Sequence, residues 1–210
     1  MRTSVAGVLL AAGEGSRFGQ PKALVVLNGL TLAERGVNML RTGGAGPVLV
    51  VTGAAPVELP GIQTVYNEQY RTGMGSSLRV ALQSLSGPPP RPGDSTAPSL
   101  APDAGAAVVA LADQPLIGPE VVARLIAAYR TGAGVAVAAY QGRPRNPVLL
   151  AREHWPEVIA LAVGDQGARA FLRSRPELVT LVECGDIGCP DDIDTAADLE
   201  RISGQALPET

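Results

Sequence analysis

Histidine is almost absent from the 210-residue chain: His154 is the only one. Two cysteines, Cys184 and Cys189, complete the supply of imidazole and thiol donors. That supply falls short of a four-ligand zinc site, and both cysteines read as ordinary thiols near a late strand. His154 has no nucleophile motif around it, and Ser76 and Ser77 do not sit in a Gly-x-Ser-x-Gly elbow, so no Ser-His-Asp triad is visible. Aromatic residues are only 3% of the chain, too few for a platform that stacks single-stranded nucleic acid. Positive charge is in deficit, with 17 Lys and Arg against 20 Asp and Glu, so the basic footprint of a nucleic-acid partner is missing as well. No apolar run reaches membrane-spanning length, and Met1-Arg2-Thr3-Ser4 leads into a first apolar stretch without a cleavage site. The expectation is a cytoplasmic protein with no membrane and no nucleic-acid partner.

What is present is the composition of an ordered globular protein, 46% apolar and 18% charged. Short apolar, β-branched runs alternate with amphipathic stretches, the pattern of a mostly parallel sheet covered by helices. Strands are expected over residues 5–12, 47–52, 63–66, 106–112, 134–140 and 178–184, with an extended stretch over 147–151. Helices are expected over 32–41, 76–85, 119–130, 153–163 and 166–174. Thr31 with Glu34, and Thr195 with Asp198, have the spacing of capping boxes, the second opening a helix through Ile202. Residues 86–105 are rich in proline and read as a flexible surface insertion in one domain spanning 1–210.

The run Leu10-Ala11-Ala12-Gly13-Glu14-Gly15-Ser16-Arg17-Phe18-Gly19-Gln20-Pro21-Lys22 begins where a buried strand ends. In an open parallel sheet, ligands bind beyond the carboxyl ends of strands. Gly13 and Gly15 permit close backbone approach, and consecutive N–H groups in such a loop make an anion-binding concavity. Arg17 and Lys22 add full positive charge, and a polyphosphate needs both kinds of donor. Rival readings fail on spacing. A Walker loop needs Ser or Thr after its lysine, and Lys22 precedes Ala23. Gly13, Gly15 and Gly19 miss the dinucleotide spacing by one, and Pro21 interrupts the helix that fingerprint requires.

Asp113 follows the apolar strand 106–112, so its carboxylate faces the crevice that the glycine loop faces. Mg²⁺ or Mn²⁺ would take one or two carboxylates there, with phosphate oxygens and water. A second acidic cluster is Asp191-Asp192-Ile193-Asp194, in which Asp192 and Asp194 alternate around an apolar residue. Negative charge there also suits the start of the following helix.

The segment 10–22 resembles the signature of the Rossmann-like nucleotidyltransferases. Within them it is most similar to the molybdenum cofactor cytidylyltransferases and other MobA-like NTP transferases, over about residues 6–202. The resemblance implies a three-layer α/β/α fold and metal-dependent transfer of CMP from CTP to a molybdopterin-type cofactor, with release of pyrophosphate. Arg17, Lys22 and Asp113 would be catalytic, and Asp113 with Asp194 would hold the metal. Leu10, Ala11, Ala12, Gly13, Gly15, Ser16, Arg17 and Lys22 would bind nucleotide. So would Asn67, Gly73, Ser76 and Ser77, although either serine also suits a helix cap. Leu10-Ala11-Ala12-Gly13 departs from the Leu-Ala-Gly-Gly of the guanylyl-transferring branch and favours CTP. On the acceptor side the resemblance points to Gln114, Arg145, Asn146, Pro147 and Asp165. Asn146 stands where the family pattern has His, and Asp165 also suits a helix cap. Other readings stay open: a sugar- or alcohol-phosphate acceptor, or a non-catalytic carrier that delivers cofactor to a molybdenum hydroxylase apoenzyme.

Overall fold

The computed structural model describes residues 4–87 and 100–204. Strand β1 (Ser4–Leu10) leads into the glycine-rich loop and a short 3-10 turn, Lys22–Leu24. A two-stranded ribbon follows, β2 (Val26–Leu27) and β3 (Leu30–Thr31), then helix α1 (Leu32–Thr42). Next come β4 (Val48–Thr52), β5 (Gln63–Tyr66) and α2 (Met74–Ser86). The chain continues through β6 (Ala104–Leu111), α3 (Pro119–Arg130), β7 (Val135–Tyr140) and β8 (Arg143–Ala151). It ends with α4 (Trp155–Leu161), α5 (Arg169–Ser174), β9 (Val179–Glu183) and α6 (Ala196–Ser203).

Seven strands form one sheet in the order β5-β4-β1-β6-β8-β7-β9. All neighbours are parallel except β8, which runs against both β6 and β7. Side chains of β1 alternate between two cores, as a strand covered on both faces requires. Val5 and Leu9 pack with Val37 and Leu40 of α1 and with Val122 and Leu125 of α3. Ala6, Val8 and Leu10 pack with Leu78 and Leu82 of α2, Trp155 of α4 and Phe171 of α5. The result is the expected three-layer α/β/α arrangement around a mostly parallel sheet. Among the described residues, no helix is long and apolar enough to cross a membrane.

The structure departs from expectation where backbone geometry outweighs apolar pattern. The extended stretch 147–151 is the second half of a longer strand that starts at Arg143. Gln141 and Gly142, at φ +55° and +73°, make the two-residue turn that returns β7 into β8. Asn28 and Gly29, at φ +49° and +82°, do the same for the β2–β3 ribbon, which sequence reading missed. Gly167 at φ +52° starts the second expected helix late, at Arg169. The proline-rich stretch is narrower than 86–105, because Ser86 still belongs to α2 and Ala104 already belongs to β6. Its centre, residues 88–99, lies outside the described residues.

The Thr31 capping box is present: Glu34 N–H donates to Thr31 Oγ1 (3.1 Å), and Thr31 N–H donates to Glu34 Oε2 (2.7 Å). Thr31→Ala is therefore expected to lower unfolding stability by about 1 kcal/mol, read as a reduced midpoint in urea.

Candidate active site

Leu10 and Leu111 are register partners in adjacent parallel strands. The chain therefore leaves β1 and β6 at one edge of the sheet, and the two exits are stitched together by Ala112 N–H donating to the Leu10 carbonyl (3.1 Å). A cleft of about 520 Å³ opens there. Leu10, Ala11, Ala12, Gly13, Gly15, Ser16, Arg17 and Lys22 all line it, and so does Asp113. Gly15 sits at φ +61°, and a Cβ at that position would overlap the Gln20 carbonyl. Its own carbonyl accepts from the N–H groups of Phe18 and Gly19, both at 2.8 Å. This turn closes the loop and brings Arg17 and Lys22 back over the strand ends.

The opposite wall comes from Tyr70, Gly73, Met74, Ser77 and Asp165. Gly73, at φ +107°, is the N-cap of α2 and is pressed against Gly164 and Asp165. The serines do not cap this helix. Ser76 and Ser77 lie within it, both accepting from Asn67 Nδ2, at 2.8 and 3.0 Å. Asn67 is only 1% exposed. It and Ser76 shape the wall from behind, while Ser77 reaches the cleft. Asp165 caps no helix either; it lies in the 3-10 turn Gly164–Gln166. Sequence reading singled out neither Tyr70 nor the ion pair of Arg71 Nε with Glu14 Oε1 (2.6 Å), which ties the two walls together. Both partners are exposed, so the tie is weak in water.

The charged floor is tightly organised. Lys22 Nζ donates to Asp113 Oδ2 (2.8 Å) and to Asp194 Oδ1 (2.6 Å). Arg17 Nη1 pairs with the other oxygen of Asp194 at 3.1 Å. Burial works to lower the Lys22 pKa, but the charges and hydrogen bonds of Asp113 and Asp194 outweigh it and raise it above the ordinary value. Lys22 is thus held as an ammonium ion.

Asp194 is brought across 81 residues of sequence by backbone and side-chain clamps. Ile193 N–H donates to the Asp113 carbonyl (2.8 Å), and the Ile193 side chain is fully buried with Leu27 and Leu116. Gln114 Nε2 donates to Asp192 Oδ1 (2.7 Å) and to the Pro190 carbonyl (3.2 Å). Asp192 is thereby held by Gln114, and it is Asp194 that shares Lys22 with Asp113. Burial, and then the negative charge of Asp113, push the Asp192 pKa up. Gln114 does not line the cleft. It is buried, and its amide nitrogen donates to the 190–192 segment. Arg145, Asn146 and Pro147 are not part of the cleft lining. They lie in the first half of β8, which begins at the edge of the sheet where β6 ends, because β8 runs in the opposite direction.

The donor set fits a hard divalent cation. Two carboxylates converge on one point, and oxygen is the donor such ions prefer. Among the described residues, no group of three or more His, Cys, Asp or Glu side chains is arranged to hold a metal. Phosphate oxygens and water would have to complete the coordination of a metal at Asp113 and Asp194.

A sequence model for MobA-like NTP transferase domains matches residues 7–179. The chain belongs to that family. As a MobA-like NTP transferase it is a nucleotidyltransferase. Its relatives carry several names. It is 35% identical to nicotine blue oxidoreductase of Paenarthrobacter nicotinovorans, over 94% of this chain and 96% of that one. It is 36% identical to a probable molybdenum cofactor guanylyltransferase of Opitutus terrae, over 39% of this chain and 41% of that one. Among solved structures, the homologue of Mycobacterium tuberculosis Rv0371c from Mycobacterium sp. strain JC1 superposes with a TM-score of 0.77. That pair is 32% identical, covering 97% of this chain and 96% of the other. Rv0371c itself has been solved in complex with manganese; it is 26% identical, with a TM-score of 0.74, covering 98% and 100%.

The clamp made by Gln114 is open to test. Gln114→Ala removes two buried hydrogen bonds, one of them to a carboxylate, and is expected to cost about 1–3 kcal/mol of unfolding stability. Chemical denaturation measures that loss, and a raised requirement for divalent ion in a turnover assay would accompany it.

Proposed function

We propose that this MobA-like transferase moves CMP from CTP to the terminal phosphate of a molybdopterin-type cofactor, with Mg²⁺ or Mn²⁺, releasing pyrophosphate. One observation carries the reading. The glycine loop, Lys22, Arg17 and Asp113 line a single cleft at the carboxyl ends of β1 and β6, and Asp194 is tied to it through Lys22 and Arg17. Loop amides around Gly13 and Gly15 hold the phosphate chain. An acceptor phosphate oxygen bonds to the α-phosphorus as the bond to the bridging oxygen breaks and pyrophosphate departs. Lys22 and Arg17 hold the charge that gathers on the transferred phosphoryl group. Asp113 and Asp194 would hold a divalent ion, which would supply Lewis-acid stabilisation of the transferred phosphoryl group when bound. Ala12 is packed against the second core and lines the cleft, and it supports the choice of CTP because it is the residue that departs from the guanylyl pattern. Asp165, on the wall facing the loop, and residues 145–147, on the neighbouring strand, are assigned to the acceptor.

A second reading has one observation behind it. The Paenarthrobacter relative, alike over nearly the whole chain, is named an oxidoreductase. The glycine spacing offers no dinucleotide fingerprint in its support.

One assay separates these readings. The protein is incubated with each of the four nucleoside triphosphates, Mg²⁺ or Mn²⁺ and isolated molybdopterin cofactor, and products are identified by mass. The expected result is a CMP adduct with matching pyrophosphate, reduced by about 10²–10³ in Asp113→Ala. A GMP adduct would reassign the base. No adduct with any triphosphate would defeat the acceptor assignment, and oxidation of NADH without pyrophosphate release would favour the oxidoreductase.

A further inference from the structure

Lys22 is the only lysine in the sequence; the other 16 basic residues are arginine. It stands at one place only, between Asp113 and Asp194, and its side chain is just 18% exposed. An ammonium is a compact point charge on a flexible stem, whereas a guanidinium is a planar fork. A compact charge can occupy the point where two carboxylates converge, at 2.8 and 2.6 Å. That is also the point to which the same two carboxylates would direct a divalent ion. Two cations cannot share it.

We propose that Lys22 is an exchangeable counter-ion: it competes with the divalent metal for Asp113 and Asp194, and the triphosphate draws it off, so nucleotide binding assembles the metal site. Three observations support this order. Asp194 has both oxygens engaged by cations, Lys22 on one and Arg17 on the other. Among the described residues, no third His, Cys, Asp or Glu side chain joins the pair to complete a metal site. Lys22 and Arg17 also both line the cleft that the phosphates would enter, so each has a second anionic partner within reach of the same side chain. As phosphates arrive, both cations transfer to them, the carboxylates are released, and phosphate oxygens fill the coordination positions the protein leaves open. Linkage makes the effect reciprocal: a nucleotide that tightens metal binding is itself tightened by metal to the same degree. The inference rests on the reading of Asp113 and Asp194 as metal ligands, but it is independent of which base and which acceptor are used.

Two measurements test it. In the first, Mn²⁺ binding to the nucleotide-free protein is followed by the paramagnetic resonance of the free ion, for wild type, Lys22→Met and Asp113→Asn. Removing the competing ammonium should tighten Mn²⁺ binding by about 5- to 150-fold, the usual span of coupled sites, and Asp113→Asn should weaken it. Circular dichroism confirms that each variant is folded, and Mn²⁺ should raise the melting temperature of Lys22→Met more than that of wild type. Equal or weaker binding by Lys22→Met overturns the proposal. Unchanged binding by Asp113→Asn instead overturns the assignment of the metal ligands, and the proposal with it. In the second, a lysine-selective ¹³Cε label gives one side-chain resonance from Lys22. Saturating CTP with the metal chelated should shift that resonance, and a resonance that stays in place at saturation also overturns the proposal.

Discussion

Leu10 and Leu111 are separated by a hundred residues of chain, yet they lie side by side in parallel strands. Parallel pairing has a directional consequence: both strands deliver their following residues to the same edge. The glycine loop and Asp113 meet because of that pairing. Nothing else in the local sequence of either segment would bring them together. The bond from Ile193 N–H to the Asp113 carbonyl then adds a third segment and places Asp194 opposite Lys22. Hydrophobic burial on both faces of β1 and β6 fixes the frame, and the charges at the edge depend on it.

Those charges are held in a defined imbalance. Asp113 and Asp194 face Lys22 and Arg17, and Asp192, held by Gln114, adds one negative charge beside them. Burial makes that excess expensive, as the raised pKa of Asp192 shows. Gln114 holds one carboxylate, Asp192, through its amide, while Asp194 sits on the lysine.

Much of this was legible in the sequence. The strand that ends at the glycine loop, both capping boxes, and Asp113 at the end of the apolar strand could all be read from residue type and spacing. Each is a local signal, because the physical cause lies within a few residues. The β2–β3 ribbon was also written locally, in Asn28-Gly29, and was passed over. The orientation of β8 was harder. Pro144 and Pro147 argue against a strand, and only the turn at Gln141-Gly142 reveals that the chain doubles back. For Gln114 the resemblance points to the acceptor side. Its hydrogen-bond partners, Pro190 and Asp192, are more than seventy residues away, and such contacts have no local signature. The same holds for the tie between Glu14 and Arg71.

The reversed direction of β8 has one further consequence. Residues 148–150 are paired on both sides, with β6 and β7, whereas Arg143 and Pro144 pair with β7 alone. The hairpin tip is therefore anchored at its base and attached along one flank only. Side chains there can be exchanged without disturbing the β1–β6 seam that carries the nucleotide loop. The architecture sets a tip held along one flank beside a seam whose strands are paired on both sides.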